Sequence, residues 1–155
     1  MEIRHFKNED AHEVSELIIR TLKTTNALYE PEDVMEKAIT DITPEKIIER
    51  ASFTHFYLIV DDTTIIGTGA IGPYWNSKTE SSLFTIFVDP QYQGKGIGNF
   101  IIETLEKDEY FKRAERIEIP ASISAVDFYL KHGYTYKNGI DEPDSEGLVR
   151  LEKYL

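Results

Sequence analysis

Apolar and polar residues alternate through EIRHF at positions 2–6, the two-residue period of a strand with one buried face. The period then changes. After Asn8, Glu9 and Asp10, which suit helix caps, Val14, Leu17, Ile18 and Leu22 recur at helical spacing and predict a helix. Two further helices are expected between Pro31 and Ala51, the first opened by PEDV and the second by Thr43 as cap with Pro44 at the first helical position. From His55 the strand pattern returns: HFYLIV, a polar DDTT turn and IIGTGAIGPYW read as a hairpin. SSLFTIFV, rich in aromatic and β-branched residues, adds a third strand that ends at Asp89-Pro90. IGNFIIETLEKDEYF predicts one helix with Ile97, Ile101, Ile102 and Leu105 on one face. RIEI is then a strand, SAVDFYLKH a helix stopped by Gly133, and YTYKN and GLVRLEKY two last strands. The succession predicts an α+β fold with α/β mixed character: a central, mostly antiparallel mixed sheet of about seven strands flanked by about four or five helices. One parallel pairing is implied where a strand, a helix and a strand follow one another.

No repeat, low-complexity tract or long linker interrupts this order, so residues 1–155 are expected to form a single domain, large enough to bury a core without covalent staples. The sequence contains no cysteine, which excludes disulfides and thiolate-held metal and fits a reducing compartment. MEIRHFKNED carries no apolar signal core and no apolar run is long enough to span a bilayer, so a cytoplasmic protein without membrane association is expected. Lysine and arginine total 17 against 28 acidic residues, a net charge of −11, which disfavours nucleic acid because phosphate binding rests on basic clusters. His5, His12, His55 and His132 lack metal-ligand spacing, and no metal is expected.

VDPQYQGKGIGNF places Gly94, Gly96 and Gly98 on alternate positions between a predicted strand and a predicted helix. Each glycine costs roughly 0.5–1 kcal/mol relative to alanine inside a regular element, so bare backbone must serve a purpose there. A helix N-terminus offers unpaired N–H groups and the positive end of the helix dipole, and side chains at these three positions would keep a pyrophosphate away from them. A turn that merely needs left-handed backbone would be served by one or two glycines. The Walker pattern is absent, since Gly94-Lys95 continues with Gly96, and the dinucleotide G-x-G-x-x-G pattern does not match G-x-G-x-G late in an antiparallel context.

VDPQYQGKGIG resembles the acyl-CoA pyrophosphate loop of the GNAT superfamily of N-acetyltransferases, [QR]-x-x-G-x-[GA], here Gln93, Gly96 and Gly98. AVDFYLKHGY, at the expected distance, looks like that family's alanine, then tyrosine four residues on, then glycine-aromatic. The motifs cover about residues 80–134, and the order of elements matches from Glu2 to Tyr154. The resemblance implies a sheet splayed between the fourth and fifth strands, with the pantetheine of acetyl-CoA bonding to the main chain of Ile86, Phe87 and Val88. It implies a pyrophosphate held by Gln93, Gly94, Lys95, Gly96, Ile97, Gly98 and Asn99, with the neutral amide of Gln93 at a position often filled by arginine. It further implies direct attack of a primary amine on the thioester, Tyr129 as general acid for the departing thiolate, Glu80 as general base and Ser122 at a pantetheine-contacting position often filled by asparagine. Each has a plainer reading: Ile86, Val88 and Tyr129 as packing, Glu80 as an exposed strand-start carboxylate, Ser122 as a helix cap.

The same resemblance places the acceptor pocket near TLKTTNALYEPEDVMEKAITD and GPYWNSKTE. Tyr29, Tyr74 and Trp75 can then line a cleft, and Glu30, Glu32 or Asp33 can receive a cationic amine of a small molecule or peptide. The rival reading is a non-catalytic module that senses acetyl-CoA on the same fold. The last strand leaves homodimerisation open.

Overall fold

The computed structural model describes residues 1–155 and joins seven strands in one sheet. In chain order the elements are β1 (Glu2–His5), α1 (Ala11–Thr24), α2 (Glu32–Thr40), α3 (Pro44–Ala51), β2 (His55–Asp61), β3 (Thr64–Pro73), β4 (Glu80–Val88), α4 (Ile97–Glu106), α5 (Glu109–Lys112), β5 (Arg116–Ser122), α6 (Val126–Lys131), β6 (Thr135–Tyr136) and β7 (Leu148–Tyr154). The strand order is β1-β2-β3-β4-β5-β7-β6, and every pairing is antiparallel except β4 with β5.

The alternation read in HFYLIV sorts β2 between two apolar layers. Phe56, Leu58 and Val60 pack with Val14, Leu17, Ile18 and Leu22 of α1, Met35 of α2 and Ile47 of α3. Ile59 joins Ile97, Ile101, Ile102 and Leu105 of α4 and Tyr129 of α6 on the other side. Each fully buried aliphatic side chain contributes about 1.5–3 kcal/mol, so the stripe on α1 is a main reason this helix docks. The expected start of α3 is present: Thr43 Oγ1 accepts the Lys46 N–H at 3.3 Å, with Pro44 in the first turn. No helix is long and apolar enough to cross a membrane.

IGNFIIETLEKDEYF is two helices, not one, which brings the number of α-helices to six. The break lies at buried Asp108, whose carboxylate accepts the Tyr110 N–H at 2.8 Å and the Tyr57 hydroxyl at 2.6 Å and lies 2.9 Å from His55 Nδ1. A carboxylate capping a new helix while bonding two residues of β2 satisfies more polar groups than it could within a continuous helix.

Candidate active site

The parallel pair β4–β5 is joined only through Glu80↔Arg116, Ser81↔Ile117 and Ser82↔Glu118. Beyond it, β4 stays bonded to β3 as far as Val88, and β5 stays bonded to β7 as far as Ser122. The two strands therefore diverge with facing main-chain edges unpaired, and the gap opens into a cleft of about 1120 Å³ lined by residues 83–88 of β4 and 119–122 of β5, with α4, α6 and the α1–α2 region around them. That exceeds the roughly 300–1,000 Å³ usual for one small ligand and leaves room for two. A β-bulge shapes the β4 wall: Thr68 opposes Phe87 while Ala70 opposes Phe84, and Thr85 sits at φ 53°, an unusual conformation for a β-branched residue.

The turn after β4 is held from several sides. Asp89 caps the Gln91 N–H at 2.9 Å and receives Arg20 Nη2 at 2.6 Å, and the Gln93 side-chain amide donates to Val88 O and Thr25 Oγ1, each at 3.1 Å. The backbone N–H groups from Gln93 to Asn99 find no acceptor within the protein. Gly94 and Gly96 adopt φ values of +78° and +81°, and a Cβ at either would project into open space, so both glycines serve the left-handed turn that aims those donors outward. Gly98 has a different role from the one assigned by its spacing. It lies inside α4, where a Cβ would come within 3.1 Å of the Phe128 ring, so its bareness lets α6 approach α4.

The other expected cofactor residues divide by side chain. Ile86, Phe87, Val88, Gln93, Gly94, Gly96, Ile97, Gly98, Asn99 and Ser122 line the cleft. Ile97 buries its side chain in the core, leaving main chain for a ligand. Lys95 is off the cleft wall, its ammonium 5.2 Å from the Tyr92 ring centroid. Ser122 caps nothing, its hydroxyl lying 3.3 Å from Ser124 Oγ.

Tyr129 is buried at the cleft, between Phe128 and Tyr134, and its hydroxyl has no hydrogen-bond partner in the protein. Burial alone pushes its phenol well above the ordinary tyrosine range, so it stays protonated at neutral pH. Glu80 is a correction. It starts β4, at the closed end of the sheet, its Oε2 is 2.8 Å from Arg116 Nε, and it is not among the cleft residues. A carboxylate neutralised by an ion pair at the far end of the strand is not available as the general base. Tyr74 and Trp75 lie at the same closed end: the Arg116 guanidinium carbon sits 4.8 Å from the Tyr74 ring centroid, and Trp75 is exposed. Of the aromatics expected at an acceptor pocket, only Tyr29 reaches the cleft.

Glu30, between α1 and α2, is the acidic group at the cleft that stands out. It is only 8% exposed; Oε1 accepts the Ile123 N–H at 2.8 Å, and Oε2 is buried without a partner. Burial raises its pKa, partly offset by the Ile123 hydrogen bond. The sequence offered Glu30, Glu32 and Asp33 together; only the folded turn distinguishes the buried one.

The model of the Acetyltransferase (GNAT) domain family matches residues 52–136. An uncharacterized N-acetyltransferase, YafP of Escherichia coli K12, is 22% identical over 135 residues, 86% of this chain and 81% of that protein. Among solved structures, the PaiA N-acetyltransferase of Thermoplasma acidophilum in complex with coenzyme A superposes with a TM-score of 0.81 at 21% identity, covering 99% of this chain and 98% of that one. An aminoglycoside 6'-N-acetyltransferase complexed with coenzyme A gives a TM-score of 0.70 at 17% identity, covering 99% and 97%. The mixed sheet parted at its single parallel pair, with its domain match, defines an enzyme of the N-acetyltransferase class. The chain belongs to the GNAT acetyltransferase family.

Proposed function

We propose that residues 1–155 act as one N-acetyltransferase domain that passes an acetyl group from acetyl-CoA directly to a primary amine of a small molecule or peptide. The observation that carries this reading is the run of unpartnered N–H groups from Gln93 to Asn99 at the mouth of the parted strands. Such a run, with a helix N-terminus behind it, fits a diphosphate, and the positive φ values of Gly94 and Gly96 with open space around them leave room for one. The edge of β4 at Ile86–Val88, which no strand pairs and where only Val88 O is engaged, by the Gln93 amide, fits an extended amide-bearing arm laid alongside it. Bound there, acetyl-CoA supplies the thioester that the amine attacks. Tyr129 holds the proton that the leaving thiolate takes up, and its raised pKa keeps that proton in place at working pH. Glu30, a cleft residue whose Oε2 is buried without a partner, takes over the role first given to Glu80: it receives the proton of the incoming amine. Superposition on two proteins crystallised with coenzyme A supports the donor.

The test is calorimetric titration with coenzyme A, together with thiol release from acetyl-CoA over a panel of primary amines. Saturable binding and amine-dependent thiol release are expected. Absence of binding, or binding with no release across the panel, overturns the reading.

A further inference from the structure

We propose that the acceptor is an amine that also carries a carboxylate, and that Arg50 receives this carboxylate; the inference rests on the acetyl-transfer reading above and narrows its substrate class. Arg50 lies in the last turn of α3 and lines the cleft together with Phe53, Phe84 and Thr85. Its Nη1 donates to Thr85 Oγ1 at 2.9 Å, and no carboxylate lies within 4.0 Å of its guanidinium. Asp41 and Glu49 act on it only through space, and Asp41 is itself engaged by Lys46 at 3.0 Å. Desolvation is the main influence on Arg50, and it acts against the charge.

Arg116, which is buried where Arg50 is half-buried, shows the usual arrangement: its guanidinium meets Glu80, Glu118 and Glu152 at 2.8, 3.0 and 3.0 Å. A desolvated guanidinium without an anion is costly to maintain, and in a chain of net charge −11 anionic partners are abundant. Its lack of one at a cleft wall points to an anion brought by the ligand. A guanidinium has five N–H donors in a planar fork, which matches a carboxylate in two parallel bonds; the one bond to Thr85 leaves most of that fork unused.

Thr85 supports the same assignment. It is held at φ 53°, a conformation that costs about 1–3 kcal/mol and persists only where the surroundings impose it. Its carbonyl accepts Thr68 Oγ1 at 2.8 Å while its hydroxyl accepts from Arg50, so the bulge that strains Thr85 also fixes the guanidinium. Phe53 and Phe84, edge to face at 6.5 Å, put apolar surface on the same wall, where a charge pair is screened less than in water. With Glu30 on the β5 side for the amine and Arg50 on the β4 side for the carboxylate, the cleft carries complementary charges for an amino-carboxylate compound.

The test uses matched acceptors that differ only in the carboxylate: α-amino acids against their amino alcohols, and ω-amino acids against alkylamines of the same chain length. In the wild type, kcat/KM is expected to be about tenfold or more higher for at least one carboxylate-bearing member than for its partner, the scale of a charge-assisted paired contact. In Arg50→Met the ratio for that pair collapses toward one, and Arg50→Lys retains part of it. Equal or inverted ratios across all wild-type pairs overturn the proposal with no variant needed, as does a ratio that survives in a folded Arg50→Met. If the carboxylate-free amines are acetylated as well as their partners, only the acceptor assignment fails. If coenzyme A does not bind, or no acceptor of either kind releases thiol, acetyl transfer and the acceptor assignment fail together.

Discussion

Tyr129→Phe deletes one oxygen atom, and the structure separates what that atom does for catalysis from what it does for folding. The residue is 5% exposed, and its hydroxyl, which reaches the cleft, hydrogen-bonds to nothing in the protein. Its removal breaks no hydrogen bond within the protein, so stability should change little. The ring contacts persist, since Phe128 and Tyr134 meet the ring at centroid distances of 5.3 and 6.2 Å. Loss of a positioned general acid lowers the rate by about 10²–10⁴, or roughly 2.7–5.4 kcal/mol of barrier at 1.36 kcal/mol per tenfold. The expected result is thus an enzyme as stable as the wild type, with unchanged coenzyme A affinity, whose single-turnover thiol release is slower by two orders of magnitude or more. Urea denaturation, calorimetry and rapid-quench kinetics give the three readings. A chemistry-limited rate within twofold of wild type would refute the acid assignment. So would a loss of activity matched by a loss of stability, which would make the hydroxyl a structural group.

Four further predictions concern the loop, the buried carboxylate and the charge cluster on β5 and β7. Gly96→Val places a β-branched residue at φ +81° in the donor turn; about 1–2 kcal/mol of backbone strain and a sharply weaker affinity for coenzyme A should follow, and an unchanged dissociation constant by calorimetry contradicts the loop's role. Glu30 has a raised pKa, so the acid limb of kcat/KM should lie above the ordinary carboxylate range and change in Glu30→Gln, while buried, unpartnered Tyr129 contributes no alkaline limb near neutral pH. The same shift has a sign for stability. The folded state favours the neutral carboxyl, an advantage complete below the unfolded pKa and lost as pH rises through the folded one, so the stability of Glu30→Gln relative to wild type should increase across that interval; a flat difference in urea melts argues against burial as the cause. Glu118, 2% exposed, accepts Arg116 Nη1 at 3.0 Å and Lys137 Nζ at 2.8 Å, and Glu118→Gln should lower stability by about 3–5 kcal/mol, with a shift below about 1 kcal/mol in urea unfolding counting against the buried-pair argument.

The sequence by itself determined what depends on local order along the chain. Short apolar runs rich in β-branched and aromatic residues named the seven strands, alternating where one face is buried, as in EIRHF, and unbroken where both are, as in β3, buried from Ile65 to Gly72. The Thr43-Pro44 start of α3 and the Gly133 stop of α6 were legible because capping chemistry is local. The strand–glycine turn–helix order around Gly94 and Gly96 marked the anion-binding mouth for the same reason: orphan N–H groups arise wherever a helix begins. What needed the tertiary structure were partners distant along the chain. Asp108 breaks a continuous helical pattern because His55 and Tyr57, more than fifty positions earlier, supply its contacts. Glu80 is excluded from the cleft by Arg116, which the parallel pairing sets beside it. Gly98 is bare for Phe128, Glu30 is buried against Ile123, and Arg50 meets a bulge at Thr85 that no residue type in SSLFTIFV announces. Burial, charge compensation and strain depend on what lies across a contact, so those assignments emerge only once the chain has closed on itself.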